Sequence, residues 1–521
     1  MPNTSVGSVF SPKYDYLKGK EAWKSNLRLT TLAADRIRSS LGPNGAYKMV
    51  TYNRGPEKVV KITKDAVLVL EELAIQYPTI TVLAEAAKLH REQMGDGVKT
   101  FVILASSLLR KADELMEKGI HPMIILSGYE EAAEKAIETI GSSSQQLENL
   151  GLEEVLETAD CGRGWLTEEL KRNLIEVLEI ASKDGKLDKD KIRIVRNPGG
   201  SQSETKFIKG LILKKSKLHP NMPDTVLEPK IAVTSERIGY NRLELKMPTE
   251  GPFHMKLTLE TPQQLLECKN TEKGQKTEAL QKLKKFGVNV LFSQQPIDSF
   301  SKGKLIEMGV LAFETVDRKD LELICKVSRA KIVGNLTNLT ESDVGKVRSV
   351  ETEKINLEKI LILHSSDAAT FLIRGSSLQV LDEVELLIIN SLKLMAAAKV
   401  SGKIIPGCGA VETQIAQQLE HFAFSFSGRE QLAVTGFADA LLDLPRCLAT
   451  NNGLNPDDEI IRLRKLQSDG KQDFLNSASV LCFDVSDVKT AIIRRAFEVA
   501  SLMLRIDEQV TGKEIPKFHK K

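Results

Sequence analysis

Two glycine-rich stretches hold the residues of this chain best suited to chemistry, Met94-Gly-Asp-Gly-Val-Lys-Thr100 and Leu41-Gly-Pro-Asn-Gly45. Each reads as a turn beside a helical pattern. Glycine lets a backbone approach a phosphate closely, and a helix N-terminus offers unsatisfied N–H groups to an anion. Asp96 stands between Gly95 and Gly97, so its carboxylate has little neighbouring bulk. A carboxylate in such a turn can hold Mg²⁺, which favours oxygen ligands and bridges to phosphate oxygens. The plainer alternative is a pair of ordinary surface turns, because short glycine motifs match often. A P-loop NTPase is a poor alternative, since no G-x-x-x-x-G-K-[ST] run occurs.

The elements that would position these turns follow from periodicity. Residues 1 to 22 are polar and predict a tail. From Trp23, the residues Leu27, Leu29, Leu32, Ile37 and Leu41 give one apolar helical face, which Gly42-Pro43 ends. A short strand is predicted at Val59–Thr63 and helices at Ala66–Ile75 and Pro78–Met94. Beyond the Gly-Asp-Gly turn, a long helix is predicted from Phe101 to Lys118 and another from Pro122 to Ile140. The polar run Gly141 to Gln146 reads as a boundary, and residues 147–205 are mixed, with a helix near Thr167–Ser182. From Lys206 the pattern becomes α/β. Strands are predicted at Phe207–Leu213, Lys230–Thr234, Leu243–Leu245, Lys256–Leu259, Val288–Phe292, Val310–Phe313 and Lys331–Val333, with helices at Pro262–Phe286 and Lys302–Met308. Helices resume at Leu378 and continue to Arg505. An α/β block thus interrupts a helical body, and the length of 521 residues suits about three domains.

Composition narrows the class. The chain is 41% hydrophobic and 27% charged, ordinary for a globular protein. Its 73 basic and 70 acidic residues leave a formal charge of +3. That near-balance argues against nucleic acid as the main partner. Six cysteines occur without C-x-x-C spacing, which gives zinc and thioredoxin-like readings no support. No apolar run approaches membrane-spanning length and no secretory h-region opens the chain, so no membrane partner and a cytoplasmic location are expected.

Nine segments in order resemble the group II chaperonin family, that of the archaeal thermosome and the eukaryotic cytosolic chaperonin. They are Leu41-Gly-Pro-Asn-Gly45, Ile62-Thr-Lys-Asp65, Gly95-Asp-Gly97, His219-Pro-Asn-Met-Pro223, Phe371-Leu-Ile-Arg-Gly375, Leu381-Asp-Glu-Val-Glu385, Pro406-Gly-Cys-Gly-Ala-Val-Glu412, Ala449 to Pro456 and Leu504-Arg-Ile-Asp507. The resemblance implies a multidomain α + α/β chaperonin fold. A helical equatorial domain would comprise residues 1–141 and 402–521, and a small intermediate hinge residues 142–207 and 369–401. An inserted apical α/β domain would span 208–368, with a helical protrusion within Tyr240 to Phe286. It further implies ATP and Mg²⁺ as cofactors, other chaperonin subunits in a homo- or hetero-oligomeric double ring as partners, and unfolded protein as client.

Residue by residue, the resemblance implies that Leu41, Gly42 and Pro43 line the phosphates, with Gly97, Val98, Lys99 and Thr100 adding contacts. Asp96 would hold Mg²⁺, and Asp65 would help place the attacking water and the metal. Cys408 and Gly409 would pack against the nucleoside, and Asp484 would meet the ribose. For Asp65 and Asp484 a helix N-cap is the competing reading. Five positions depart from the family pattern. Val98 and Lys99 stand in place of Thr-Thr, Ala66 in place of Gly, and Cys408 in place of the middle Gly of a triple-glycine turn. Lys99 points at phosphate or at solvent. The fifth is Asn390, where the family carries the aspartate that activates water. An amide can hydrogen-bond water but cannot take its proton, so hydrolysis is expected to be weak. The competing readings are a folding chaperone that turns over ATP and a chaperonin-derived assembly subunit that does not.

Overall fold

The computed structural model describes residues 14–54, 57–74, 77–147, 151–159, 167–183, 186–238, 262–355, 358–468 and 483–512. The chain divides into two compact units, Met1–Ile175 with Asp382–Lys521, and Glu176–Leu381. The first therefore draws on both chain ends, as the interrupted helical pattern implies.

That first unit is a helical body. Its middle helix, Val98–Glu117, buries an unbroken run from Phe101 to Leu109, so it is apolar all round and is sheathed by other helices. Pro122–Ser143, Glu430–Asn451 and Ser486–Leu504 pack with it around one core that also contains Trp23, Ile37 and Leu70. The helix Pro78–Met94 has the predicted bounds, with proline in its first turn and Gly95 at φ 78° as its left-handed C-cap. The next helix opens at Val98, three residues before the predicted Phe101, because Gly97 at φ 83° serves as its N-cap.

Other differences lie at the strands. The predicted tail contains the strand Tyr14–Lys18, which pairs antiparallel with Glu508–Gly512, and a helix already begins at Lys20. The strand Glu57–Thr63 has an unpredicted partner, Lys48–Arg54, with Met49 opposite Ile62. Lys403–Pro406 lies between Phe483–Val485 and Gln145–Gln146, antiparallel to both.

The second unit holds two sheets. In one, Leu311–Phe313, Val290–Ser293, Lys230–Thr234 and Ile332–Val333 run parallel, with Gly345–Lys346 antiparallel at Lys230. Leu311–Phe313, Val290–Ser293 and Lys230–Thr234 are almost wholly buried, as parallel strands covered on both faces must be. Helices Pro262–Phe286, Ser299–Glu307 and Arg318–Ser328 accompany them. In the other, the long strand Glu358–Gly375 pairs with Ile192–Pro198, Lys206–Leu213 and Ser349–Ile355. The predicted strands Leu243–Leu245 and Lys256–Leu259, and with them much of the expected protrusion, lie outside the described residues. No helix among the described residues is long and apolar enough to cross a membrane.

Candidate nucleotide site

The loop after the first long helix is held from three sides. Helix Lys20–Arg38 ends with the Ser40 amide donating to Ile37 O, and the Ala46 amide closes the loop on Ser39 O at 2.7 Å. Asn451 Nδ2 donates to both Arg38 O and Leu41 O, at 2.9 and 2.8 Å. Gly42 has φ 82°, and a Cβ there would stand 2.7 Å from Leu448 Cδ2. Leu41 itself is buried. A half-buried glycine backbone therefore stands where the family resemblance sets the phosphates, at a φ that strains any larger residue.

Lys99 is half-buried. Its Nζ donates to Ser40 O at 2.9 Å, so it ties the Gly-Asp-Gly turn to the Leu41–Gly45 loop. The two stretches are thereby brought together. Val98 is buried in the first turn of its helix, and Gly97 supplies no side-chain cap. The opening N–H groups of a helix lack intrahelical carbonyls, which makes this helix start suited to an anion. Asp96 is exposed, and its carboxylate has no protein partner among the described residues.

Asp65 is placed differently. It is 6% exposed, and both carboxylate oxygens are engaged. Oδ1 accepts from the Val67 amide at 3.2 Å, which is the N-cap of helix Ala66–Ala74. Oδ2 accepts from Arg91 Nη1 at 2.5 Å. The Asp65 amide donates to Thr63 Oγ1, whose hydroxyl donates to Glu383 Oε1. The sequence reading had not singled out Arg91; its partner is 26 residues away, beyond any local pattern.

Asn390 lies against the Gly-Asp-Gly turn. A Cβ on Gly95 would be 2.5 Å from Asn390 O and 2.7 Å from Lys393 Cβ, so only glycine lets helix Leu378–Ser401 approach this closely. Lys393 Nζ donates to Arg91 O at 3.3 Å. Asn390 Oδ1 is buried without a hydrogen-bond partner among the described residues. The helix thus brings the Asn390 backbone to the same turn that carries Asp96.

The residues that the resemblance sets against the nucleoside come from the chain's second half. Cys408 is exposed and holds φ 56°, a left-handed conformation that costs a non-glycine residue about 1–2 kcal/mol. Gly409 at φ 86° caps helix Ala410–Ala423, and a Cβ there would meet Pro445 at 2.7 Å. Pro445 and Leu448 belong to one helix, which therefore backs both Gly409 and Gly42. Asp484 sits in the strand Phe483–Val485, and Val485 rather than Asp484 caps the following helix. Asp484 Oδ2 pairs with Lys489 at 2.7 Å, and Lys489 pairs with Glu412 at 2.5 Å.

Among the described residues no group of three or more His, Cys, Asp or Glu side chains could hold an ion. Mg²⁺ needs only one or two carboxylates when phosphates supply the remaining oxygens. Asp96 fits that use. Asp65, already neutralised by Arg91, does not.

His90, one turn before Gly95, buttresses the turn from inside. It is fully buried, stacks on Phe101 at 5.9 Å, and has Nδ1 2.7 Å from Arg495 Nη1. The arginine donates, so the imidazole is neutral. Burial, then the Arg495 charge, pulls its pKa down to about 4, with the Asp96 backbone opposing weakly. A lowered histidine pKa means that the unfolded chain binds the proton first. The stability from His90 is therefore complete above the unfolded value near 6.5 and is lost as pH falls from there toward about 4. The effect is about 3 kcal/mol at full extent. The thermal midpoint should drop more steeply between about pH 7 and pH 5 for the natural chain than for His90→Gln. Parallel curves would show that His90 does not titrate on unfolding.

A profile of the TCP-1/cpn60 chaperonin family matches residues 33–514. The chain is 35% identical over 520 residues to thermosome subunit alpha of Archaeoglobus fulgidus, with 96% of this chain and 93% of the relative covered. It is 34% identical over 527 residues to a thermosome subunit of Methanopyrus kandleri, covering 97% and 94%. To thermosome subunit beta of Methanothermobacter thermautotrophicus it is 34% identical over 514 residues, covering 95% and 92%.

Proposed function

The chain belongs to the TCP-1/cpn60 chaperonin family, and from that premise we propose that it is an ATP-binding subunit of a double-ring chaperonin. The ring encloses unfolded protein and assists its folding, and this subunit hydrolyses ATP slowly. Residues 1–141 and 402–521 act as the equatorial base, 142–207 and 369–401 as the hinge, and 208–368 as the apical domain.

The observation that carries the reading is the tie between the Leu41–Gly45 loop and the Gly95–Thr100 turn through Lys99 and Ser40. It places an uncapped helix N-terminus beside a glycine loop, an arrangement suited to a polyphosphate. Gly42, Pro43 and Gly97 to Thr100 would bind the phosphates through backbone N–H groups where these exist. Asp96 would hold Mg²⁺, which when bound spreads the negative charge of the phosphate oxygens. Cys408 and Gly409 border the nucleoside, and Asp484, steadied by Lys489, meets the ribose. Asp65 and Asn390 occupy the positions from which water would be oriented. Asn390 orients without accepting a proton, which slows the chemical step.

A second reading, an assembly subunit that binds nucleotide without turnover, is favoured by Arg91 on Asp65 together with Asn390. The purified particle separates the two. We expect a native mass of several hundred kilodaltons, saturable ATP binding and ATP-dependent recovery of a denatured test protein. A monomer that binds no nucleotide would sink the chaperonin-ring proposal. Binding with no recovery, even with partner subunits present, would leave the assembly reading in its place.

A further inference from the structure

We infer that Arg91 stands in for a divalent cation at Asp65, so that the site takes a nucleoside diphosphate or triphosphate with little dependence on Mg²⁺. The inference rests on the nucleotide reading above and concerns what that site demands of its ligand.

Both Asp65 oxygens already accept a protein donor, Oδ1 capping a helix and Oδ2 holding Arg91, so a cation there would stand against the guanidinium charge. The Arg91 side chain is 18% exposed. Its backbone is pinned as well, because Arg91 O accepts from the Gly95 amide at 3.1 Å and from Lys393 Nζ at 3.3 Å. A guanidinium has five donors in a rigid fork, and the Asp65 bond uses Nη1. Nε and Nη2 have no protein partner among the described residues, and they lie one turn before the Gly-Asp-Gly turn. Planar, permanently charged and weakly hydrated, arginine suits phosphate oxygens without needing a metal between them.

Two further cations are built in. Lys99 Nζ is fixed at Ser40 O, at the foot of the first loop. Lys64, next to Asp65, is 4% exposed and lies over the Tyr47 ring at 4.7 Å from its centroid. Arg91 and Lys99 therefore set cationic side chains beside the glycine stretches before any ion arrives. Asp96 remains able to hold one ion, but that ion adds to cations already in place and does not create the site.

The test is the affinity of the assembled full-length protein for a fluorescent ADP analogue, measured with Mg²⁺ and again with excess EDTA. ADP keeps hydrolysis out of the readout. The natural chain should lose less than about tenfold on chelation, below the worth of one charge-assisted hydrogen bond, and a larger loss overturns the inference. Arg91→Gln should widen the ratio between the two conditions by about tenfold, and Arg91→Lys should restore part of it. An unchanged ratio in a folded Arg91→Gln protein also overturns it. If Arg91→Gln does not fold, the comparison on the natural chain still decides. No binding in either condition would instead overturn the nucleotide reading, and this inference with it. Binding that needs Mg²⁺ refutes the role of Arg91 alone.

Discussion

Asn390→Asp should raise steady-state phosphate release by about 10²-fold or more, the usual worth of a positioned general base. The position already has the required setting. Helix Leu378–Ser401 lies so close to Gly95 that a single Cβ would collide with Asn390 O. Asn390 Oδ1 is buried with no partner among the described residues, so the group at this position is screened from bulk water. A carboxylate there gains the one property the amide lacks, an oxygen able to take a proton from water. Nucleotide affinity should change little, because the substitution leaves the phosphate loops alone. Brisk turnover by the natural chain would refute the idea that Asn390 limits it. If Asn390→Asp binds nucleotide and remains inert, the limit lies with Asp65, whose carboxylate Arg91 has claimed. Adding Arg91→Gln should then release the rate, with the two changes far from additive because both act on one water.

The parts of the fold that sequence exposes are those with local punctuation. Proline at the start and glycine at the end set Pro78–Met94 to the residue, and an alternation of turn signals with apolar runs set Lys230–Thr234. Pro262–Phe286 was bounded as predicted, despite Gly274 in its middle. Val290–Ser293 starts two residues later than expected because the Val288 amide still closes the preceding helix on Leu283 O. What local pattern cannot carry is pairing across the chain. Tyr14–Lys18 is polar enough to read as a tail, and its strand character depends on Glu508–Gly512. Lys48–Arg54 has weak alternation and becomes a strand by pairing with Glu57–Thr63. The site divides the same way. The glycines at 42, 95, 97 and 409 are legible because each position requires a positive φ or an absent Cβ. The partners of the charges are not. Lys99 finds Ser40 O, Asp65 finds Arg91, and Asp484 finds Lys489, and only the last pair is close in sequence.

Lys489→Met should cost about 3–5 kcal/mol of stability, because it strands a buried charge. Lys489 and Glu412 side chains are 7% and 4% exposed, and Asp484 completes the cluster. Burial alone would push the Lys489 pKa down; the Asp484 and Glu412 carboxylates outweigh it and hold the pKa well above the usual lysine value. With the folded pKa raised, this stabilisation is fully present below the unfolded value near 10.4 and is lost only as pH rises through the folded one. The contribution is therefore flat through neutral pH, and the thermal midpoint of Lys489→Met should be low at every pH from mildly acidic to mildly alkaline. Glu412 Oε2 already has no partner among the described residues, so removing Lys489 leaves that carboxylate wholly uncompensated. Glu412→Gln combined with Lys489→Met should recover much of the loss, since replacing both members of a buried pair is far less costly than removing one. A double variant no better than the single would show that Lys489 acts by packing and not by charge. The cluster also ties together the helix Ala410–Ala423, which follows Cys408 and Gly409, the strand Phe483–Val485, which carries Asp484, and the helix Ser486–Leu504, which carries Lys489. Nucleotide affinity should accordingly fall with Lys489→Met even well below its melting temperature, while Asn390→Asp leaves affinity in place. Equal affinities for the natural and Lys489→Met chains would separate Asp484 from the nucleoside pocket.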